Sequence, residues 1–323
     1  MAVRSHKMPK AYLKRFAEAP MKGKRYGRLC VYERGKEPRA GTAHSEAAER
    51  GFFTSRSEDG TLEDSTTENW AQTIEDGALN ILTYASSPIF VWTRETRRQM
   101  AEYWALMFLR STSFYDFHKN GSEEVFSAQM RRLSSDEEFR QKLVSHYSLL
   151  LGRPIPEEEL FGAIGRAVTA LLTKEELRNQ YVQQLKRRVE LFSGILLKKP
   201  WQIWTAPDSR EFVTCDSPVM TFRVDQWNRY SVGDGFAKEG VIALLPISSG
   251  ACLLAGQQGC ASKEIGRADT HEVNKIIIAA SARFVYSRTR DSEIDALVQE
   301  FAGTVRYGVN AFKVKDNFDN LFF

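Results

Sequence analysis

The spacing of apolar residues changes once along this chain, near Trp201, and that change limits the folds open to it. From about residue 65 to 198 apolar residues recur every three or four positions, which is typical of amphipathic helices. From Trp201 onward, apolar and polar residues alternate in short runs, which is typical of strands. We therefore predict an α+β fold, in which a helical N-terminal and central half packs with an antiparallel sheet in the C-terminal half. The whole chain, residues 1–323, is expected to form one unit, helical at about 65–198 and sheet-rich at about 201–323.

The same pattern predicts individual elements. Helices are expected from Ser65 to before Pro88 and from Thr93 to Arg110, then at about 123–151, 157–172, 174–198, from Thr270 onward and at 292–301. Strands are expected at 29–32, 219–222, 240–246, 252–255 and 284–286, and 201–205 and 211–214 are expected to pair as a hairpin around a turn at 207–210. The polar stretch 35–45 is expected to be a loop.

Composition bounds the class of protein. With 323 residues, 42% of them hydrophobic, the chain can bury a large core. No apolar run approaches the roughly 20 residues of a membrane-spanning helix, and the N-terminus lacks the apolar stretch of a secretory signal. We expect a cytoplasmic protein with no membrane partner. The cysteines are scattered, which favours reduced structural thiols over disulfides or a zinc site. They are Cys30, Cys215, Cys252 and Cys260.

Positive charge is concentrated at the N-terminus. Residues 1–40 carry twelve Lys or Arg against three Glu, a net charge of +9, in a chain whose total is +4. Such a segment can bind phosphates by releasing counterions, so nucleic acid is a candidate partner. The alternative is a solvated basic face. Tyr12, Leu13 and Phe16 are expected to anchor the segment on the C-terminal sheet, because exposing them would cost several kcal/mol at about 25 cal/mol per Å².

Two short motifs about two hundred residues apart resemble one known family. They are residues 5–17, SHKMPKAYLKRFA, and residues 212–219, FVTCDSPV. They resemble the DUF4238 family, a domain of unknown function whose opening is roughly HxxPxx(Y/F)LxxFA and whose later motif is roughly TSD(N/S)PV. The resemblance extends over nearly the whole chain, through residues 108–112, FLRST, residues 245–248, LPIS, and the closing segment 273–287.

The resemblance implies a shared fold and a shared site, and it implies no established activity. Cys215 stands where the family usually has serine, and residues 281–283, SAR, stand where many relatives carry a glutamate. Roles of those two family side chains are therefore not carried over to this chain.

Asp216 and His6 form the centre of the predicted catalytic site, with Glu75 as the third member. Asp216 follows a strand-like run and precedes Ser217-Pro218, so its carboxylate is expected at a strand end, a favoured place for acids, bases and metal ligands. His6 would be placed by the docked segment and could act as a base or a metal ligand. The alternatives are that Asp216 binds backbone amides of its own turn and that His6 binds a buried carbonyl. Glu75 shares a helix with Glu68, and surface or capping roles are the alternative for both.

Substrate binding is assigned to Arg110, Asn274 and Lys7. Arg110 closes an apolar helix, where it could grip a phosphate or carboxylate with two hydrogen bonds, and an ion pair with Asp216 or a helical carboxylate is the alternative. Asn274 belongs to the family's closing element, and Lys7 belongs to the basic segment. A divalent metal ion is left open as a cofactor.

Familiar catalytic motifs are missing from the sequence. There is no GxxxxGK(S/T), GxGxxG, GxSxG or HExxH, which argues against P-loop nucleotide hydrolysis, dinucleotide redox chemistry, the common serine-hydrolase elbow and zincin proteolysis. The favoured function is a hydrolase, such as a metal-assisted phosphodiesterase or nuclease, acting on an anionic substrate. The alternative is a non-catalytic module that binds nucleic acid or a protein.

Overall fold

A computed structural model of the chain has helices in its N-terminal and central part and strands mostly in its C-terminal half, which confirms the predicted α+β class. The structure describes residues 4–6, 8–23, 25–46, 48–50, 55–56, 62–63, 65–85, 90–224, 230–232, 235–256 and 262–305.

Six long helices occupy the centre of the chain, close to the predicted ranges. They are α3 (Ser65–Ala85), α4 (Arg94–Leu109), α5 (Thr112–Ser135), α6 (Glu137–Leu150), α7 (Glu157–Leu171) and α8 (Lys174–Leu197). Short helices α1 (Lys10–Leu13), which continues as a 3₁₀ turn at Lys14–Phe16, and α2 (Ala43–Glu46) precede them, while α9 (Arg267–Ala279) and α10 (Ser292–Phe301) follow.

One predicted helix, at about 123–151, is wrong, because this stretch contains the end of α5 and all of α6. The break falls at Asp136, whose Oδ1 accepts a hydrogen bond of 2.9 Å from the backbone N–H of Phe139 and so caps α6. An aspartate satisfies an unpaired amide at a helix start better than it supports a helix interior. Within the described residues, no helix combines the length and the hydropathy that a bilayer crossing requires.

The strands form two main sheets and two short pairs. The larger sheet has the order β10 (Tyr230–Val232), β9 (Met220–Val224), β11 (Ile242–Ser248), β12 (Ala251–Ala255), β7 (Trp201–Thr205), β13 (Ser262–Glu264), and only β13 pairs parallel to its neighbour. The smaller sheet is antiparallel, with the order β3 (Arg39–Thr42), β2 (Arg28–Glu33), β14 (Phe284–Ser287), β8 (Thr214–Cys215). The short pairs are β1 (Arg4–His6) with β4 (Ala48–Arg50) and β5 (Ser55–Arg56) with β6 (Leu62–Glu63).

The central strands of the six-stranded sheet, β11 and β12, are buried on both faces. Leu245 and Leu253 point into a core shared with α3, α4, α8 and the N-terminal segment. Leu244 and Leu254, one position along, point into a second core shared with α9, α10 and the smaller sheet. Side chains alternate between the faces of a strand, so a strand between two cores is apolar at every position.

Two local predictions about the sheet are wrong. Residues 201–205 and 211–214 do not form a hairpin, because β7 pairs with β12 and β13, while β8 pairs with β14. Alternation identifies extended residues but not their partners. The stretch 35–45 is not only a loop, because it contains β3 and α2. As an edge strand, β3 is paired on one side only, and its mixed, mostly polar sequence fits that place.

The N-terminal segment packs on the C-terminal sheets, as predicted. Tyr12, Leu13 and Phe16 are fully buried. The Tyr12 hydroxyl donates a hydrogen bond of 2.8 Å to the carbonyl of Pro246 and lies 2.7 Å from Thr214 Oγ1. Strand β9 pairs with β11 only as far as Leu244, so Tyr12 satisfies a carbonyl just beyond that ladder.

Loss of the Tyr12 hydroxyl should destabilise the fold. In Tyr12→Phe the Pro246 carbonyl and the Thr214 hydroxyl stay buried without this partner, and we expect the free energy of unfolding to fall by about 1–3 kcal/mol. Urea denaturation measures this change. The matched control is Tyr84→Phe, at a residue that is 64% exposed, where a change within about 0.5 kcal/mol is expected. Equal effects of the two substitutions would show that the hydroxyl does not anchor the segment.

Candidate functional site

Asp216 connects two parts of the smaller sheet through its carboxylate. It directly follows β8 and is 8% exposed. Its Oδ1 accepts a hydrogen bond of 2.8 Å from the backbone N–H of Ala282, and its Oδ2 accepts from Arg283 at 2.9 Å and Phe284 at 3.1 Å. Two of these amides belong to the turn before β14 and the third to its first residue. None belongs to the turn of Asp216 itself, so the structural alternative is wrong about the partners. Hydrogen bonds from three amides to one carboxylate favour a structural role for Asp216.

The turn after Asp216 contacts the start of α5. Ser217 Oγ lies 2.7 Å from Ser113 Oγ and accepts a hydrogen bond of 3.3 Å from the backbone N–H of Ser113. Ser113 is three residues beyond Arg110, so the fold brings the Asp216 turn close to the junction between α4 and α5.

Arg110 and Glu75 form a buried ion pair. The Arg110 side chain is 2% exposed and that of Glu75 is 12% exposed, and Arg110 Nη1 donates to Glu75 Oε1. Glu75 is therefore the helical carboxylate that pairs with Arg110, which was one of the alternatives for this arginine. The ion pair joins α3 to the end of α4. Burial raises the pKa of the neighbouring Tyr103 hydroxyl, and the charge of Glu75 adds to this effect. The environment is thus a poorly solvated interior, in which a paired charge is far more stable than an isolated one.

His6 and Lys7 complete the predicted set. His6 lies in β1 with its backbone opposite Ala48, and its side chain is outside the described part of the chain. Lys7 lies outside the described residues, as does Cys260. The pairing of His6 with Asp216 therefore stays a prediction.

Asn274 lines a polar cleft of about 240 Å³. The cleft lies between the segment 208–213, helix α9 and the chain from Ser287 to the first turns of α10. Asn274 Oδ1 accepts a hydrogen bond of 3.0 Å from the backbone N–H of Val213, and its Nδ2 donates one of 2.9 Å to the carbonyl of Glu211. Both ends of the amide thus hold one wall of the cleft in place.

His271 lies one helical turn before Asn274 and lines the same cleft. Its Nδ1 is 2.6 Å from Glu293 Oε1. Glu293 also pairs with Arg210 and lies 3.9 Å from Arg267. The hydrogen bond with His271, with a further contribution from Arg210, lowers the pKa of Glu293, so this carboxylate is ionised near neutral pH. An ionised carboxylate only accepts, so His271 Nδ1 carries the proton and Nε2 is the basic nitrogen.

The sequence indicated only part of this cleft. His271 and Asn274 are three residues apart on a predicted helix, and that spacing places them on one face. Glu293 is 22 residues from His271, and Arg210 lies in a separate turn, so their approach depends on tertiary structure. His271, Glu293 and Arg210 were not predicted as site residues.

Other chemistry has less support in the described part of the chain. No three His, Cys, Asp or Glu side chains there could together hold a metal ion. Burial, with the charge of Asp216 adding to it, raises the pKa of the Cys215 thiol, and burial does the same for Cys252. Both sulfurs are thus poor nucleophiles, as expected for Cys215.

The contacts of Asp216 predict a stability defect when its charge is removed. In Asp216→Asn one amide of the turn before β14 would face an NH₂ group, and we expect a loss of at least about 2 kcal/mol in the free energy of unfolding. Asp116→Asn, on the exposed face of α5, should change it by less than about 0.5 kcal/mol. Urea denaturation compares the two. If Asp216→Asn is as stable as the wild-type protein, the structural role is contradicted and a chemical role for the Asp216 carboxylate is favoured.

A double-mutant cycle tests the buried pair. Glu75→Leu and Arg110→Met should each cost about 3–5 kcal/mol, because each leaves an uncompensated buried charge, and the double variant should lose much less than their sum. The exposed pair of Arg98 with Glu95, at 2.7 Å, is the matched control, and its coupling should be far smaller because solvent screens both charges. Additive losses at Glu75 and Arg110 would contradict the pairing.

Comparison with known proteins bears on the family alone. Searches of curated proteins and of solved structures each returned no match. The family model described as "Protein of unknown function (DUF4238)" matches residues 4–291, which include the N-terminal segment, the Asp216 turn and most of the polar cleft. The chain therefore belongs to the DUF4238 family.

Proposed function

We propose that the protein is a hydrolase acting on an anionic substrate, with the polar cleft as its acid/base site. The observation that carries this proposal is the hydrogen bond between His271 and Glu293 in an open, solvent-accessible cleft. A histidine oriented by an ionised carboxylate, with its second nitrogen available, is the usual pair for activating a nucleophile.

Hydrolysis by this cleft would need only groups that line or border it. His271 Nε2 would take a proton from a water molecule as the oxygen of that water attacks the phosphorus or carbonyl carbon. The same nitrogen would then give the proton to the leaving oxygen as the scissile bond breaks. Glu293 would hold the ring in one tautomer and stabilise its protonated form.

Three arginines lie in or beside the cleft and could bind an anionic substrate there, next to four carboxylates that also line it, Asp208, Glu211, Asp291 and Glu293. Arg210 lines the cleft, and Arg267, which is mostly exposed, lies 3.9 Å from Glu293. Arg288 is 3.1 Å from Glu211, a carboxylate whose pKa is raised by burial. Guanidinium groups suit phosphate and carboxylate because they offer two parallel donors.

The finer assignment is a metal-assisted phosphodiesterase or nuclease. The basic N-terminal segment supports it, since exposed side chains such as Lys14, Lys22 and Arg28 lie on a docked segment and would attract a polyanion. His6, Asp216 and Glu75 as catalytic groups, and Arg110 and Lys7 as substrate contacts, remain a second hypothesis for the same reaction.

A non-catalytic module that binds nucleic acid or a protein is the alternative function. The exposed basic residues of the N-terminal segment favour it as well. The two functions differ in turnover, because a binding module retains labelled oligonucleotides without cleaving them.

Substitution of His271 tests the proposal. Purified protein is assayed with bis(p-nitrophenyl) phosphate, p-nitrophenyl phosphate and end-labelled RNA and DNA, each with Mg²⁺, with Mn²⁺ and after chelation. We expect turnover of at least one substrate, and a loss of about 10²–10⁴ in kcat for His271→Gln with an unchanged melting temperature. His146→Gln, on α6 away from the cleft, is the matched control and should keep full activity.

Two results would count against the polar cleft. Absence of turnover on every substrate, together with retention of an oligonucleotide, would favour the binding module. Turnover that survives in His271→Gln but is lost in His6→Ala would move the reaction to His6 and Asp216.

A further inference from the structure

A second cavity, independent of the polar cleft, lies between α5 and α8. Its volume is about 780 Å³, within the roughly 300–1,000 Å³ typical of small-molecule sites. No residue that lines it also lines the polar cleft. Most of its wall is apolar and much of it is aromatic, with Phe114, Phe117, Val125, Phe126, Leu191 and Phe192 among the lining residues.

One wall of the cavity exposes an apolar side chain to solvent, which is unfavourable. Leu191 is 62% exposed, although the facing helix α5 presents phenylalanines to the same space. An apolar ligand in the cavity would cover Leu191 and extend the aromatic cluster of Phe114 and Phe192, whose ring centroids are 6.0 Å apart. The apolar lining thus favours the hydrocarbon part of a ligand.

Two of the polar side chains that line the cavity have a buried atom without a hydrogen-bond partner. Gln129 is 8% exposed, and its Oε1 has no hydrogen-bond partner in the described part of the chain. The same holds for the buried Nδ1 of His118. Burial, and secondarily the charge of Arg188, lowers the pKa of His118 to about 4, so its ring is neutral near pH 7. Buried polar atoms are normally paired, so these two leave hydrogen-bonding capacity unused beside the cavity.

Arg188 gives the cavity a positive charge that the fold does not neutralise. Its Nη2 donates a hydrogen bond of 2.6 Å to Gln184, and its guanidinium lies 5.5 Å from the Tyr181 ring centroid. Arg131 and one carboxylate, Glu124, also line the cavity, and neither Arg188 nor Arg131 forms an ion pair with a described carboxylate. Burial lowers the pKa of Arg188, which is the mark of a cation deprived of solvent without full compensation.

We propose that this cavity binds an amphipathic small-molecule anion, with an aliphatic body against the phenylalanines and an anionic head group at Arg188. The apolar wall selects the body, and Arg188 and Arg131 select the sign of the head group. Gln129 and His118 supply neutral hydrogen-bonding groups beside them.

Glycines on two helices allow a matched test. Gly121 lines the cavity on α5, and a Cβ placed there meets no heavy atom within 4 Å, so a large side chain can enter the open space. Gly165 on α7 has the same freedom but lies outside the cavity. Gly121→Trp should therefore fill the cavity, whereas Gly165→Trp makes the same chemical change elsewhere.

Binding is measured by isothermal titration with decanoate and with decanol, both below the concentration at which they aggregate. We expect saturable binding of one decanoate per chain, at least tenfold tighter than decanol. Gly121→Trp should weaken decanoate binding at least tenfold, and Gly165→Trp should leave it unchanged. Arg188→Gln should weaken decanoate binding to the level of decanol without affecting decanol.

Several outcomes would overturn the proposal. They are an absence of saturable decanoate binding, equal affinity of the wild-type protein for decanoate and decanol, or unaltered binding in a folded Gly121→Trp protein. If Gly121→Trp fails to fold, Arg188→Gln decides alone, and unchanged decanoate affinity in it contradicts the proposal. A dissociation of oligomers in Gly121→Trp, with no decanoate binding to the wild type, would assign the cavity to a second copy of the chain.

Discussion

The docking of Tyr12 is the interaction on which the rest of the architecture depends. Its hydroxyl contacts Thr214 in the smaller sheet and Pro246 in the larger one, so a single group joins the two sheets. Three residues later, the guanidinium of Arg15 donates to the carbonyls of Ile247 and Leu82, which ties α3 to the same place. Proline has no N–H and weakens a strand ladder, and the N-terminal segment covers the strand where that weakness occurs.

Two of the polar residues that stand out in the sequence, Asp216 and Asn274, form hydrogen bonds with the backbone. Asp216 accepts hydrogen bonds from three amides at the start of β14 and in the turn before it, and Asn274 bonds an amide and a carbonyl of the segment after β7. Buried backbone groups must be paired, and irregular segments between two sheets have no ladder to pair them. These side chains supply the missing partners. By fixing residues 211–213, Asn274 also fixes one wall of the cleft in which His271 remains accessible.

The sequence was sufficient to predict most helices and strands, but not which strands pair with each other. Periodicity located α3, α4, α7, α8 and strands such as β11, because each depends on residues adjacent in the chain. It failed for the partner of β7, since two short extended runs separated by a turn resemble a hairpin even when each joins a different sheet. The candidate site residues also fall into two groups, those that a local motif identifies and those that only the tertiary structure brings together. Asp216, Glu75, Arg110 and Asn274 were singled out by position and motif, and all four are buried or nearly so and engaged with protein groups. The contact of His271 with Glu293 joins two helices that no local pattern relates.

Two arginines in the helical half differ in whether a carboxylate neutralises their charge, and this difference distinguishes a structural arginine from one that can bind a ligand. Arg110 is almost completely buried and is compensated by Glu75, so its charge is used within the fold. Arg188 is half-buried beside a cavity, and its polar partners are a neutral amide and an aromatic ring. Neutral partners recover only part of the solvation that a guanidinium loses. An anion bound in the cavity would therefore supply at Arg188 the compensating negative charge that Glu75 supplies at Arg110. The need to pair a poorly solvated guanidinium thus makes Arg110 part of the core and Arg188 a site for a ligand.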